Sequence, residues 1–157
     1  MGSEAPLPIV IEPMTIGDVD AVMEIERRSF PTPWSRAAFV SELLDNDRAH
    51  YLVARLQTDD GPRVVGYIGM WIIAGEGHIT NVAVHPDYRQ RGIGRRLLEA
   101  AADLCRACAA RRMTLEVRVS NIVAQRLYED LGFVSAGIRK GYYRDNNEDA
   151  IIMWKDL

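Results

Sequence analysis

A short segment rich in glycine and arginine, RQRGIG at residues 89–94, lies between an apolar run at 78–84 and a segment with helical periodicity. Gly92 and Gly94 allow the backbone to adopt positive φ and to approach a ligand closely. The first N–H groups of a helix have no intrahelical partner, and together with the helix dipole they form an anion site. The segment therefore predicts a phosphate-binding loop between a strand and a helix.

The arginines around this loop support an anionic ligand. Arg89, Arg91, Arg95 and Arg96 fall within eight residues that contain no acid, whereas the whole chain has a net charge of −3. A mildly acidic chain does not favour nucleic acid, so a small anion is expected, and a solvated helix start is the alternative. The loop is neither a P-loop, because no Lys-Ser or Lys-Thr follows, nor a dinucleotide fingerprint, because Leu97 replaces the third glycine.

Hydrophobic periodicity predicts two helices and four strands before the loop. A short strand at 9–12 precedes a helix that Thr15 can cap and Pro31 ends, and Ser35 can cap a second helix. Three runs rich in β-branched and aromatic residues follow through short turns, which predicts an antiparallel meander. These runs are 51–56, 63–73 and 78–84.

After the loop, helices and strands alternate. A helix from Gly94 to about Ala109 leads to a strand at 114–119, and the step from 78–84 predicts a right-handed parallel crossover. A helix capped by Asn121 or Ser120 and two final strands, 133–139 and 149–154, complete the chain. We therefore predict an α/β (α+β) fold, a mixed sheet of about six to seven strands with four helices on its faces.

Length and composition describe one soluble domain. The chain has 157 residues, 48% of them hydrophobic, enough for one core without a metal or disulfide. The longest apolar stretch, Val64–Ala74, is shorter than the ~20 residues of a membrane span, and the first ten residues lack signal-peptide features. We expect a flexible tail at residues 1–7, a single domain at 8–157, no membrane partner and a cytoplasmic protein.

The cysteines and histidines do not predict a metal site. Cys105 and Cys108 have CxxC spacing, but a second pair is missing and the three histidines show no ligand spacing. Both cysteines fall inside a predicted helix, so we expect two reduced side chains and no metal.

Several motifs together resemble one enzyme superfamily. The RQRGIG segment resembles the pyrophosphate-binding motif A of the GNAT N-acetyltransferases, which bind acetyl-CoA, and the element order matches the GNAT fold from about Ile9 to Trp154. Further stretches resemble the RimI-type ribosomal-protein-alanine N-acetyltransferases within that superfamily. They are FPTPWS (30–35), NVAVHPDYRQRGIGRRLLE (81–99), LEVRVSN (115–121), LYEDLGF (127–133) and GYYRDNNEDAIIM (141–153).

The resemblance implies acetyl-CoA as cosubstrate and places it on the chain. The pyrophosphate would lie on the loop, and the pantetheine arm would pair with the preceding strand like an added strand, near an N–H at Val84 that could act as oxyanion donor. Asn121 matches a cofactor-binding position and can also be a plain helix cap. The implied cofactor-binding residues are Val82, Ala83, Val84, Arg89, Gln90, Arg91, Gly92, Ile93, Gly94, Arg95, Asn121 and Tyr128. The arm needs the strands 78–84 and 114–119 to separate, which the sequence does not reveal.

Two residues are candidates for the proton transfers. Glu116 alternates with Leu115 and Val117, which puts it on the opposite face of its strand, and the resemblance implies that it is the general base. Tyr128 matches the family's acid, a phenol that can donate to a thiolate. The alternatives are a solvent-facing strand glutamate and a packing tyrosine.

The acceptor is an amine in every catalytic interpretation. Phe30, Trp34, Tyr142 and Tyr143 fall in predicted loops and could line a peptide groove, although each could equally be a packing residue. The resemblance implies direct acetyl transfer to the α-amine of a protein N-terminus, in particular the N-terminal alanine of a small-subunit ribosomal protein. A broad N-terminal, lysine or small-amine acetyltransferase and a non-catalytic acyl-CoA sensor remain alternatives, and the oligomeric state is open.

Overall fold

A mixed seven-stranded sheet runs through the computed structural model, which describes residues 7–157. Its strands are β1 (Ile9–Pro13), β2 (Ala49–Thr58), β3 (Gly61–Ile73), β4 (Glu76–Val84), β5 (Arg112–Arg118), β6 (Val134–Tyr143) and β7 (Glu148–Asp156). The helices are α1 (Val19–Ser29), α2 (Arg36–Asp45), α3 (Ile93–Ala107) and α4 (Ile122–Asp130), with 3-10 turns at Ile16–Asp18 and Pro86–Tyr88. The strand order is β1-β2-β3-β4-β5-β7-β6, which confirms the predicted mixed α/β sheet with four helices.

The predicted tail at residues 1–7 lies outside the described residues except for Leu7. That side chain is partly buried and packs against the hydrophobic core.

Strands β2, β3 and β4 form the predicted antiparallel meander, and β1 pairs antiparallel with the outer edge of β2. β3 and β4 are joined by a two-residue turn, in which Ala74 and Gly75 both have positive φ. The register between β3 and β4 shifts so that Gly69 faces Asn81 and Met70 faces Ile79, which leaves Thr80 as a bulge. A bulge bends its strand, and this one lies two residues after His78.

β4 and β5 are parallel neighbours for only a short distance. Their pairing begins at Glu76 and Arg112 and ends at His78 and Thr114, although β4 continues to Val84 and β5 to Arg118. Helix α3 makes the parallel crossover between them, as predicted. Beyond His78 the two strands separate, so among residues 7–157 no strand pairs with this edge of β4 from Ile79 to Val84.

The two faces of the sheet carry separate cores. Under α3 and α4 the core contains Leu97, Leu115, Val117 and Tyr128, and under α1 and α2 it contains Val22, Phe39 and Tyr67 among others. Helix α3 approaches β4 so closely that a Cβ at Gly77 would lie 2.4 Å from Cys105 Sγ. Glycine is therefore required there for the helix to pack. Cys105 is buried and Cys108 exposed, and both are free.

Most predicted strands are extended by one or two residues at their ends in the structure, and three boundary differences lie close to the predicted site residues. α3 begins at Ile93, one residue before Gly94, and β5 begins at Arg112 instead of 114. β6 extends to Tyr143, so Tyr142 and Tyr143 lie at the end of a strand and not in the loop expected there. The strand is longer because β6 pairs with β7 up to Tyr143 and Glu148.

A buried ion pair fixes the start of α1. Arg55 donates from Nη1 and Nη2 to the two carboxylate oxygens of Asp18, both at 2.7 Å, and Asp18 is 6% exposed. Burial alone would raise the pKa of Asp18, but the hydrogen bonds from Arg55 and Thr15 outweigh it, so the pKa is lowered.

We expect Arg55→Met to lower the free energy of unfolding by about 3 kcal/mol, because it leaves a buried carboxylate without its partner. A lowered pKa means that the Asp18 contribution is present above its unfolded value of about 3.9 and is lost as the pH falls through the folded pKa. Urea denaturation at pH 7 and in acid measures both effects. Arg36→Met, which removes the exposed pair with Asp20, is the control and should change the free energy by less than about 1 kcal/mol.

Candidate active site

A cavity of about 560 Å³ lies along the edge of β4 that has no strand partner. It is bounded by the loop after β4, the first turns of α3, one side of α4 and the end of α1. The lining residues are Ser29, Phe30, Val82, Ala83, Val84, Tyr88, Arg89, Gln90, Gly92, Ile93, Gly94, Arg95, Leu98, Asn121, Val123, Ala124, Leu127 and Tyr128. They include every residue predicted to bind the cofactor except Arg91. A second cavity of about 230 Å³, beside Leu131 and Lys155, contains none of the predicted site residues.

The loop before α3 turns its backbone towards this cavity. Gln90 and Gly92 have φ of 62° and 80°, and Gly92 is the N-cap of α3 without a side-chain capping bond. The first N–H groups of the helix are thus left for a ligand. The prediction of positive φ at Gly94 is wrong, because Gly94 lies within the first turn of α3 and takes helical backbone angles.

The arginines of the loop do not act as one cluster. Arg89 donates from Nε to the Val84 carbonyl at 2.9 Å and from Nη2 to Ser29 Oγ at 3.1 Å, which ties the end of α1 to β4. Arg95 lines the cavity, with its Nη2 3.6 Å from Asp130 Oδ2. Arg96 instead donates to the Ile9 carbonyl at 2.9 Å, so its charge is directed to β1 and not to the cavity.

We expect Gly92→Ala to raise the KM for acetyl-CoA about fivefold or more. The added Cβ would meet nothing within 4 Å, so the effect comes from the left-handed backbone, which costs an L-residue roughly 1–2 kcal/mol. Gly75→Ala is a matched control, because Gly75 has the same φ of 80° and equally open surroundings but lies in the β3–β4 turn. Equal KM values for both variants would show that the loop conformation does not matter for binding.

Glu116 projects from β5 into a polar cluster. Its carboxylate lies 3.0 and 3.1 Å from His78 Nε2 and accepts a 3.1 Å hydrogen bond from the Tyr142 hydroxyl. The side chain is 8% exposed. Burial raises its pKa, but the hydrogen bond and charge of His78, the Tyr142 hydroxyl and the charge of Arg139 together lower it. Glu116 is therefore an ionised carboxylate at neutral pH.

Tyr128 approaches from the other face of the sheet. It belongs to the core under α3 and α4 together with Leu115 and Val117, the strand neighbours of Glu116, and its ring packs edge-on against Phe133. Burial raises its pKa to about 12, so the phenol keeps its proton at neutral pH. Among residues 7–157 no group is hydrogen-bonded to its hydroxyl, which leaves the proton available to a ligand in the cavity.

Asn121 caps α4 as the sequence suggested. Its Oδ1 accepts from the Ala124 N–H at 3.2 Å, and the residue also lines the cavity. The two interpretations of this residue are compatible, because one oxygen serves the helix and the amide NH₂ remains.

The predicted acceptor residues do not form one continuous wall. Phe30 lines the cavity, whereas the Trp34 ring packs on Phe39 at 5.3 Å and its backbone N–H donates to Glu26 at 2.9 Å. Tyr142 and Tyr143 stack edge to face, 5.1 Å apart, on the Glu116 side of the sheet.

A cation–π contact with Arg118 positions the Tyr143 ring of this tyrosine pair. The Arg118 guanidinium lies 4.0 Å from the Tyr143 ring centre and is bound by Asp145 and Glu148, which fixes the turn after β6.

The sequence analysis missed His78. The three histidines of the chain lack metal-ligand spacing. By that criterion His78 is only one residue of a predicted strand. The predicted parallel crossover contained the missing signal, because aligning the starts of two parallel strands brings His78 beside the strand of Glu116. The role of Tyr142 as a hydrogen-bond donor to Glu116 was missed because the end of β6 was taken as a loop.

The described residues were also compared with the requirements of a metal site and of a membrane-spanning helix. In the part of the chain that the structure describes, no three His, Cys, Asp or Glu side chains lie close enough together to hold a metal ion. No helix between residues 7 and 157 is long and apolar enough to span a membrane.

Several known proteins are similar to this chain in both fold and amino-acid sequence. The acetyltransferase (GNAT) family model matches residues 19–133. A Bacillus subtilis (strain 168) protein provisionally named ribosomal protein bS18-alanine N-acetyltransferase is 49% identical over 141 residues, 90% of this chain and 91% of that protein. The crystal structure of the ribosomal-protein-S18-alanine N-acetyltransferase from Escherichia coli gives a TM-score of 0.83 at 35% identity, covering 95% and 94% of the two chains. A chain of the NatC complex bound to Gag peptide and CoA gives 0.83 at 25% identity, covering 96% and 99%.

Proposed function

This chain belongs to the acetyltransferase (GNAT) family, and we propose that it transfers acetyl from acetyl-CoA to the N-terminal alanine of a small-subunit ribosomal protein. It is an N-acetyltransferase, and the similar proteins from Bacillus subtilis and Escherichia coli are named for this acceptor. One observation carries the choice of an α-amine, namely the alanine that these relatives' names give as acceptor; the ionised Glu116 carboxylate agrees with it.

A carboxylate of lowered pKa suits an amine that is already partly neutral. A free α-amine has a pKa of ~7.7–8.0, so roughly a third is neutral at pH 7.5, whereas lysine with a pKa of ~10.4 is only about 0.1% neutral. Glu116 is too weak a base to deprotonate a lysine ammonium efficiently. It can accept the proton that an attacking α-amine releases as the C–N bond forms.

The cavity has the features that acetyl-CoA requires. The N–H groups at the start of α3 and the backbone of Gly92 are suited to the pyrophosphate. The free edge of β4 can pair with the amides of the pantetheine arm. The Val84 carbonyl already accepts from Arg89, so the arm would use other groups of this edge. These residues would direct the thioester along β4 towards Tyr128.

Glu116 and Tyr128 lie on opposite faces of the sheet, so each can carry out one of the two proton transfers. The amine attacks the thioester carbon from the Glu116 side, forming the C–N bond, and its proton passes to the carboxylate directly or through one water. The C–S bond breaks, and the leaving thiolate takes the proton of the Tyr128 hydroxyl. Solvent then reprotonates Tyr128 and deprotonates Glu116. Backbone N–H groups on the free β4 edge are the candidate oxyanion donors.

Direct attack is favoured over an acyl-enzyme. Neither cysteine lines the cavity, and the one lining serine, Ser29, accepts a hydrogen bond from Arg89. A nucleophilic serine or cysteine needs an adjacent general base, and none of the cavity-lining residues supplies one to Ser29.

The test is CoA release with three peptides that differ only at the N-terminus and in one added lysine. We expect turnover with a free N-terminal alanine, and background rates with the same peptide N-terminally blocked or blocked and carrying a lysine. Turnover with the blocked lysine peptide would transfer the proposal to a lysine acetyltransferase. Acetyl-CoA binding without turnover on any peptide would favour a sensor.

A further inference from the structure

His78 lies at the point where β4 and β5 separate. It occupies the last paired position on β4, opposite Thr114, and the Thr80 bulge lies two residues further along the strand. Because Glu116 lies two residues after Thr114 on β5, both side chains project from the same face of the sheet. The imidazole therefore meets the carboxylate at the mouth of the gap between the strands.

The contact has a defined chemical form. His78 Nε2 lies 3.0 Å from one carboxylate oxygen of Glu116 and 3.1 Å from the other. An ionised carboxylate only accepts hydrogen bonds, so Nε2 carries the proton and donates to both oxygens. The Tyr142 hydroxyl donates to Oε1 from β6. Two donors from two strands thus hold the carboxylate in one orientation.

The His78 imidazole packs against Trp71 of β3. The Trp71 ring meets the His78 ring edge to face, with centres 6.4 Å apart. Trp71 Nε1 donates to Glu42 Oε1 at 2.6 Å, and Tyr51 donates to the same oxygen. The orientation of His78 therefore rests on packed and hydrogen-bonded neighbours, although its side chain is 37% exposed.

We propose that His78 is a positioning residue for acetyl transfer, which holds the Glu116 carboxylate towards the acceptor amine by donating from Nε2 to both of its oxygens. This inference rests on the proposed function, in which Glu116 accepts the proton of the amine. His78 keeps its own proton throughout, so no charge is transferred to the imidazole. Without His78 only the Tyr142 hydroxyl still donates to the carboxylate, so the carboxylate can rotate away and its burial is compensated less.

A double-mutant cycle tests this role. His78→Leu should lower kcat at least about tenfold, part of the roughly 10²–10⁴-fold that a positioned base supplies, with the Kd for acetyl-CoA unchanged. In the Glu116→Gln background the same substitution should change kcat less than twofold, because a residue that acts through Glu116 has nothing left to position. His50→Leu, which removes a histidine from β2, should leave kcat unchanged.

The conservative variant His78→Gln separates positioning from proton transfer. Its amide can donate to the carboxylate but cannot take up a proton, so it should restore kcat to within about threefold of the wild type. Failure of this rescue would mean that the imidazole itself moves a proton, which overturns the positioning role.

The remaining outcomes assign failure to one claim or the other. An equal loss from His78→Leu in both backgrounds, or no loss in the wild-type background, overturns the role of His78 while leaving Glu116 in place. Full activity of Glu116→Gln removes the base from the proposed function, and the role of His78 with it.

Discussion

Glu116→Gln is expected to lower kcat by about 10²–10⁴-fold while the Kd for acetyl-CoA stays unchanged. The amide keeps the shape of the side chain but cannot accept a proton, and general-base catalysis typically contributes this much. Glu116 is not among the residues that line the 560 Å³ cavity, so cofactor binding should not depend on it. Steady-state rates with an alanine-terminated peptide and acetyl-CoA titration by calorimetry measure the two quantities.

Glu76→Gln is the matched control for this change. Glu76 is also a strand carboxylate, at the start of β4, but it is more exposed and pairs with Arg112. Its variant should keep the wild-type kcat. A wild-type rate for Glu116→Gln, or a proportional loss in both variants, would contradict the assignment of the base.

Tyr128→Phe is expected to lower kcat by about 10²-fold, again without loss of acetyl-CoA affinity. The phenylalanine keeps the packing against Phe133 and removes only the hydroxyl, so the thiolate leaves without a proton donor. Because burial raises the pKa of Tyr128 to about 12, the wild-type rate should not fall through loss of this proton up to about pH 10.

The pH dependence of kcat can also contradict the role of Tyr128 as the proton donor. A wild-type kcat that declines between pH 8 and 9, together with an unchanged kcat for Tyr128→Phe, would show that another group supplies the proton. Thermal unfolding of the variant distinguishes a lost donor from a lost core contact.

Local signals in the sequence predict the elements that surround the 560 Å³ cavity. The loop at 89–94 and the Asn121 cap each depend on neighbouring residues, and the structure has both. Gly132 follows the C-cap of α4 and has a φ of 98°, the left-handed backbone with which many helices end. Such features are encoded within a few residues, because caps, turns and helix starts need only short-range backbone geometry.

Longer-range properties of the site were not accessible from the sequence. The separation of β4 from β5 after His78 depends on a bulge and on tertiary pairing. No local pattern of residues predicts it. The contact of Tyr142 with Glu116 depends on how far β6 pairs with β7. Arg96 was counted with the loop charges because its neighbours are arginines, yet it reaches across to the carbonyl of Ile9.

The most direct test of the account is the structure of this protein with a bisubstrate analogue, in which CoA is joined through an acetyl linker to the α-amine of an alanine-terminated peptide. We expect the linker to pass between β4 and β5, with the linked nitrogen within hydrogen-bond distance of Glu116 directly or through one water. The sulfur should lie within hydrogen-bond distance of the Tyr128 hydroxyl. A linker that passes outside this gap, with its nitrogen remote from Glu116 and its sulfur remote from Tyr128, would contradict the account.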